Sequence, residues 1–369
     1  MKINITKATL LEGIQIVSSG VSSRTTLPIL HNVLMETQNG KLKLVRTDME
    51  MATVHFVPAE IVEEGSITVP LKEFADIIKN LADDKEITLT SDENNKFHIK
   101  SGKSKFWVIG TPKSEYPAIP EIERSGKIEL DPLLLQQMVE KTAFSASTQE
   151  TRYILNGLLW SSSAEGFEVV ATDGGRLAVA SQAPLAGVKD FKVIIPTKIL
   201  TEVCRFIGIA KPGSDDKIEV NVASNQVSFI MKDTTFISRL IEGNFPNYKQ
   251  VIPTKTNIKF EVFAKELLAS TRRAALCAGE FGSIVKYKVE DNKLTVSSNS
   301  QNMDFTDELP VEYVGEAFEA NFKPQYIIDV LKNVSAEKVS FAFVNASQPM
   351  LMEPVEESSF KYVIMPMRA

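Results

Sequence analysis

The strongest constraint on this chain is a repeat hidden in the spacing of its apolar residues. After Val69-Pro70, apolar residues fall at Phe74, Ile77, Ile78 and Leu81, one face of a helix. The same face returns 126 residues on, after Ile195-Pro196, as Leu200, Val203, Cys204 and Ile207. It returns again after 127 more, as Ile327, Val330, Leu331 and Val334. Thr47-Asp48 recurs as Thr172-Asp173 and, more loosely, as Ser298-Asn299. Such a period is too long for a solenoid of small units, which repeat every roughly 20–50 residues, and close to the ordinary size of a domain. The 369 residues therefore divide into three domains of similar fold, 1–124, 125–253 and 254–369, with junctions near Arg124-Ser125-Gly126 and Pro253-Thr254-Lys255.

Each repeat opens on another helix face. These are Leu10, Ile14, Val17 and Val21; then Leu135, Val139, Thr142 and Ala146; then Leu267, Thr271, Ala274 and Ala278. Between the helices lie short alternating runs, among them Leu42 and Leu44, Ile87 and Leu89, Phe97 and Ile99, Ile218 with Val220 and Val222, and Val339 with Phe341 and Phe343. Alternation of period two reads as strands with one buried face. Asn39-Gly40 and Asp291-Asn292 stand between such runs as hairpin turns. Each repeat is thus expected to be α+β, two helices packed on antiparallel sheet. Trp107 and Trp160 sit in strand-like runs, and Cys204 and Cys277 on apolar helix faces; all four are expected in the core.

Composition removes several function classes. With 43% hydrophobic and 24% charged residues the chain is an ordinary globular one. No apolar run approaches the roughly 18 residues of a membrane span. The opening Met1-Lys2-Ile3-Asn4-Ile5-Thr6-Lys7 lacks the apolar stretch of a secretory signal, and two cysteines are too few for a disulfide framework, so a reducing, cytoplasmic location is expected. The net charge of −6 speaks against a protein held to nucleic acid by bulk attraction alone. His31, His55 and His98 show no metal-ligand spacing, and no catalytic triad or phosphate loop is recognisable, so neither metal, cofactor nor catalysis is expected.

Three similar domains in series suit a pseudo-symmetric ring, and pairing two chains would give twelve helices. At about 9–10 Å between helix axes, that ring measures about 36 Å across and leaves roughly 26 Å clear, enough for duplex DNA. The six helices carry ten basic residues (Lys7, Lys72, Lys79, Lys141, Lys198, Arg205, Lys265, Arg272, Arg273 and Lys332) and eight acidic ones. That small excess has the sign a DNA-facing pore needs, although mixed solvated helix faces would give the same count.

Four runs carry a resemblance to a known family. They are 23–30 (SRTTLPIL); Tyr153-Ile154-Leu155-Asn156-Gly157 with 171–178 (ATDGGRLA); Phe245-Pro246-Asn247-Tyr248; and the terminal 362–368 (YVIMPMR). Together they resemble the bacterial DNA polymerase III β subunits, the sliding clamps, over the whole chain. The resemblance implies a head-to-tail homodimer ring that encircles duplex DNA without sequence preference, is loaded by an ATP-driven clamp loader, and tethers DNA polymerase III and other polymerases without catalysing anything itself. It places DNA contacts at Arg24, Lys72, Gln149, Tyr153, Ile154 and Lys198. It places a pocket for the apolar end of partner peptides at Leu155, Thr172, Gly174, Gly175, Arg176, Leu177, Pro246, Val251, Val363, Met365, Pro366, Met367 and Arg368. Phe106, Leu276 and Cys277 match the ring interface. Three positions depart from the family pattern: Ile154 where some relatives have tyrosine, Gly175 where histidine is frequent, and Ala369 where the chain often ends in leucine. The competing reading is a peptide-binding adaptor that uses the pocket and never encircles DNA.

Overall fold

The computed structural model describes residues 1–18, 27–120, 126–277 and 284–367. Among these are six α-helices: α1 (Lys7–Ser18), α2 (Leu71–Lys79), α3 (Pro132–Ala143), α4 (Thr197–Ala210), α5 (Ala264–Cys277) and α6 (Pro324–Asn333). Local chemistry sets their starts. Asp131 caps α3, its Oδ1 accepting the Leu133 and Leu134 amides at 2.8 and 3.0 Å, and Pro132 takes the first helical position, where a missing N–H costs nothing. Pro324 opens α6 in the same way. The faces read from the spacing are buried: Leu10, Ile14 and Val17; Phe74 and Ile78; Leu200, Val203 and Ile207; Ile327, Val330 and Leu331. Val21 and Ala278 lie outside the described residues.

Compactness divides the chain into two units, residues 1–136 with 198–240, and 137–197 with 241–369. Each takes half of the middle repeat, and the sheets show why. The first unit holds an eight-stranded sheet in which Lys127–Leu130, Ile218–Val222, Gln226–Met231 and Thr234–Arg239 of the middle repeat continue into Met51–Pro58, Lys41–Thr47, Asn32–Gln38 and Ser66–Pro70 of the first. Main-chain pairing at that seam sets Thr234 opposite His55 and Ser238 opposite Met51. The second unit repeats the device. There Arg176–Gln182 of the middle repeat pairs with Phe360–Ile364 of the last, Arg176 opposite Ile364 and Ala180 opposite Phe360. Hydrogen-bonded ladders hold residues together more closely than two helices and a sheet do, so the units follow the sheets rather than the repeats.

Two smaller sheets complete the fold. A five-stranded one ends on Ser104–Ile109 and a four-stranded one on Asp304–Pro310. Both are edge strands. Asn39-Gly40 and Asp291-Asn292 form two-residue turns with positive φ at both central positions, the backbone that suits the twist of a hairpin. Under the first repeat Phe74 meets Phe97 edge to face at 5.7 Å. In the last repeat Phe260 stacks on Phe341 at 5.3 Å. Trp160 and both cysteines are in the core, as expected. Trp107 is not: it is 58% exposed, beside Phe106 at 43% and Ile109 at 57%, because among the described residues the edge strand that carries them has nothing on its outer side. Among the described residues no helix is long and apolar enough to cross a membrane, and no cluster of His, Cys, Asp or Glu could hold a metal ion.

Candidate peptide pocket and DNA-facing residues

Thr172-Asp173 opens the turn between two strands of the second unit, and its side chains build that turn. The Thr172 hydroxyl donates to the Arg176 carbonyl at 2.6 Å and accepts the Gly174 amide at 3.1 Å. Asp173 Oδ1 accepts the amides of Gly175 at 2.9 Å and Arg176 at 3.1 Å. Gly174 sits at φ +89°, a conformation that favours glycine. The Thr47-Asp48 copy makes the same bonds, from the Thr47 hydroxyl to the Met51 carbonyl and from the Glu50 and Met51 amides to Asp48 Oδ1. In the third repeat the strand pairing puts Asn299-Ser300 in this place, one residue beyond the Ser298-Asn299 match read from the sequence.

Apolar residues gather next to the turn. Leu177 lies opposite Val363 across the seam; both are buried in a cluster with Phe245 and Tyr248, and Leu155 packs against it half-buried. The chain then leaves the sheet. The Met365 amide donates to the Gly175 carbonyl at 2.9 Å and the Met367 amide to the Asn321 carbonyl at 2.7 Å, so 365–367 is strapped across the surface. Met365 and Val251 are exposed at 40% and 42%, Pro246 is exposed, and Pro366 and Met367 are half-buried. Buried Leu177 and Val363 form the floor, and the exposed apolar side chains form a rim. Arg368 lies outside the described residues. Tyr248 anchors the floor by donating to Glu168 Oε2 at 2.6 Å; burial, then that carboxylate, pushes its hydroxyl pKa well up.

On the other side of the turn is a cavity of about 680 Å³, more polar than the cluster. It is lined by Gly174, Gly175 and Arg176, by Gln149, and by Arg152 and Tyr326, two residues the sequence did not single out. Arg152 Nη1 donates to the Asp173 carbonyl at 2.7 Å, beneath Gly174. A Cβ on Gly175 would come within 2.7 Å of the Tyr326 hydroxyl, so glycine is what lets that tyrosine approach. Arg176 is largely buried and is engaged through Nε and Nη1. Its Nε meets Asp173 at 3.1 Å, its Nη1 meets Asp329 at 2.6 Å, and its guanidinium lies 4.7 Å from the Tyr326 ring centre. It ties the turn to α6 and leaves little of itself for a ligand. The recurrence of the aspartate as Asp48 was the available signal for Asp173; Arg152, Tyr326 and Asp329 have none.

The DNA-facing set is less uniform than the helix count suggests. Arg24 lies outside the described residues. In the first unit Lys72 is exposed at the start of α2 and makes no ion pair among the described residues, whereas Lys198 is bound to Asp48 at 2.5 Å. In the second unit Gln149 lines the polar cavity, Tyr153 is 57% exposed, and Ile154 is half-buried against the apolar cluster. Lys141, counted above among the helix cations, is buried, 2.9 Å from Glu357 and over the Phe360 ring. Lys7 is bound to Asp83 at 2.7 Å, and Arg205 donates to carbonyls at the end of α1. Of the interface set, Phe106 and Leu276 are exposed, while Cys277 is buried.

A pseudo-symmetric chain with strand-to-strand seams and an apolar cleft at one seam is a clamp in its architecture. Three family models match it: the N-terminal domain of the DNA polymerase III beta subunit at residues 1–120, the central domain at 129–247 and the C-terminal domain at 249–368. The beta sliding clamp of Haemophilus influenzae is 32% identical over 370 aligned residues, the whole of both chains. The crystal structure of the sliding clamp of Bartonella birtlesii bound to griselimycin matches with a TM-score of 0.95 at 28% identity, all of each chain covered. That of the Bacillus subtilis clamp matches with a TM-score of 0.94 at 29% identity, covering 100% of this chain and 99% of that one. The chain belongs to the DNA polymerase III beta subunit family, the beta sliding clamps. That family is one of non-catalytic processivity factors.

Proposed function

We propose that this chain, built of repeats 1–124, 125–253 and 254–369, closes head to tail with a second copy into a ring. Duplex DNA threads the ring, and polymerases dock on the pocket at the second seam. One observation carries the reading. Each internal seam pairs the last strand of one repeat with the fourth strand of the repeat before it: Thr234–Arg239 with Met51–Pro58, and Phe360–Ile364 with Arg176–Gln182. The strands left over in those two roles are Ser104–Ile109 and Asp304–Pro310, and among the described residues both are free edges. Two copies would satisfy both edges twice. Superposing the hairpins transfers the observed register and sets Ser104 opposite Asp307, and Phe106 opposite Phe305 of the second copy. Lys103 and Lys105 would then face an edge that carries Asp304, Asp307 and Glu308.

The exposed cations Lys72, Lys79, Lys265, Arg272 and Lys332 make no ion pair among the described residues. They are the helix residues free to meet phosphate, with Arg24, Gln149, Tyr153 and Ile154 as further contacts and Lys198 as one only when it parts from Asp48. A threaded ring needs few such contacts, and tight ones would oppose sliding. The pocket takes the apolar end of linear motifs from the DNA polymerase III catalytic subunit and other polymerases, with Leu155, Leu177 and Val363 as floor and Pro246, Val251, Met365, Pro366 and Met367 as rim. Thr172, Gly174, Gly175 and Arg176 shape its wall, and Arg368 is assigned to it by the family resemblance alone. An ATP-driven loader opens the ring, in the cytoplasm, at the interface where Phe106 of one copy would meet Leu276 and Cys277 at the end of α5 of the other.

The test is retention on DNA of defined topology. The protein is loaded on a nicked circle with a loader and ATP, washed at high salt, and the circle is then cut. Retention that survives salt and ends on linearisation is the expected result. Loss in the salt wash, with a control clamp retained, would overturn the ring and leave the peptide-binding adaptor.

A further inference from the structure

The first and last repeats treat one edge differently. In the first, Lys2–Ile5 leads into α1 and pairs on one side with Ile87–Ser91. Its other side is covered by an extra strand, Glu60–Glu63. Ile61 lies opposite Ile3 and packs against the core, Glu63 lies opposite Lys2, and Asn4 Nδ2 donates to Glu60 Oε2 at 2.8 Å. In the last repeat Ile258–Phe263 is the equivalent strand. It leads into α5 and pairs on one side with Lys338–Phe343. Among the described residues nothing pairs on its other side.

The segment that would have to cover it is held elsewhere. It follows Asp304–Pro310, as Glu60–Glu63 follows Met51–Pro58. But the Val311 amide donates to the Asn292 carbonyl at 3.1 Å and the Tyr313 amide to Asn292 Oδ1 at 3.0 Å. What remains is a cavity of about 560 Å³ between this segment and the edge, lined by Phe260, Val311, Glu312 and Lys338 and by Lys259 and Glu261 of the strand itself. Phe260 and Val311 are buried and make an apolar floor.

We propose that this edge is a second docking site, distinct from the pocket at the seam, which takes an extended segment of a partner protein as an added antiparallel strand. Outward N–H and C=O groups of an edge strand supply the main-chain bonds. The first repeat shows what the side chains must be. A residue opposite Phe260 is apolar, as Ile61 is opposite Ile3. A residue opposite Lys259 is acidic, as Glu63 is opposite Lys2. Opposite Glu261, where the first repeat has Asn4, the segment carries a base. Read along the segment the pattern is base, apolar, any residue, acid.

The probe is a fluorescein-labelled peptide of residues 58–65 carrying Glu60→Lys, titrated into the full chain. Saturable binding is expected, with new hydrogen-exchange protection at the outward amides of 258–263. Lys259→Glu should weaken it roughly two- to fivefold, the size of a cross-strand charge pair. Glu261→Lys should weaken it likewise and should bind the peptide with its natural Glu60 better. Both changes are on exposed side chains, so folding is not at stake. Three results would overturn the proposal: no saturation; binding indifferent to these charges, or protecting 172–177 and 360–365 instead; or outward amides already protected in the free chain, meaning that its own segment closes the slot. None of these depends on retention on circular DNA, so the ring and this site stand or fall separately.

Discussion

Phe106→Ala should open the ring while leaving each copy folded. Phe106 lies 43% exposed on a free edge, so within one chain little of its ring is lost from the core when it is cut back. A phenylalanine offers about 200 Å² to burial, so about 90 Å² of it awaits a partner. At about 25 cal/mol per Å² the truncation removes about 2 kcal/mol from one seam. Because a head-to-tail pair closes through two identical seams, the ring loses about 4–5 kcal/mol, and its dissociation constant should rise about a thousandfold. Sedimentation equilibrium over a concentration series measures the constant, and thermal unfolding at a dilution where both proteins are monomeric checks the fold. A dimer weakened less than about fivefold would refute the seam. So would a monomer that melts well below the parent, because the side chain would then belong to the core and not to an edge.

Other residues carry shorter tests. Asp48→Asn should free Lys198 from its 2.5 Å partner while the amide oxygen still accepts the Glu50 and Met51 amides. The salt dependence of DNA binding should then steepen by about 0.9 in log–log slope, one added phosphate contact, and an unchanged slope would remove Lys198 from the DNA face. Gly174→Ala forces a Cβ into φ +89° and to within 2.9 Å of Arg152 Nη1, so denaturant unfolding should show a loss of about 1–2 kcal/mol, with weaker binding of an apolar motif peptide. Burial holds His55 down at about 4, below the 6.5 of an unfolded histidine, so between those values the unfolded chain binds more protons. The His55 contribution to stability should therefore be lost as pH drops from about 6.5 to about 4, by up to about 3 kcal/mol. His55→Gln should flatten that limb of the curve, and an unchanged limb would place the titration elsewhere.

How far the sequence reached depends on the distance between partners. Helix faces and hairpin turns were legible because their determinants lie within a turn or two of chain, as with Phe74 to Leu81 or the positive-φ pair at Asn39-Gly40. The Thr-Asp turn was legible as a recurrence, since Asp48 and Asp173 bond to amides two and three residues on; its third copy slipped by one residue because Asn299-Ser300 keeps the turn but not the residue types. The clusters at the two sides of that turn were not legible. Arg176 is set by Asp329, which lies 153 residues away, and Lys141 by Glu357, 216 away. Counting helix cations treats such residues as free, and the structure removes Lys7, Lys141, Lys198, Arg205 and Arg273 from that count by pairing them.

Trp107 shows the other limit. Alternation assigns successive residues to opposite faces of a sheet and assumes that one face is covered. Phe106 and Trp107 are neighbours on opposite faces, and both are exposed, so among the described residues neither face of the strand is covered near its edge. A pattern that fits neither a buried nor a half-buried strand suits the proposed ring, in which a second copy would pair with this edge. The same two aromatic residues would read as core in a sequence and as defects in an isolated chain. Only the seams, where equivalent strands already have partners, give them a role, and at both seams that partner is the fourth strand of another repeat.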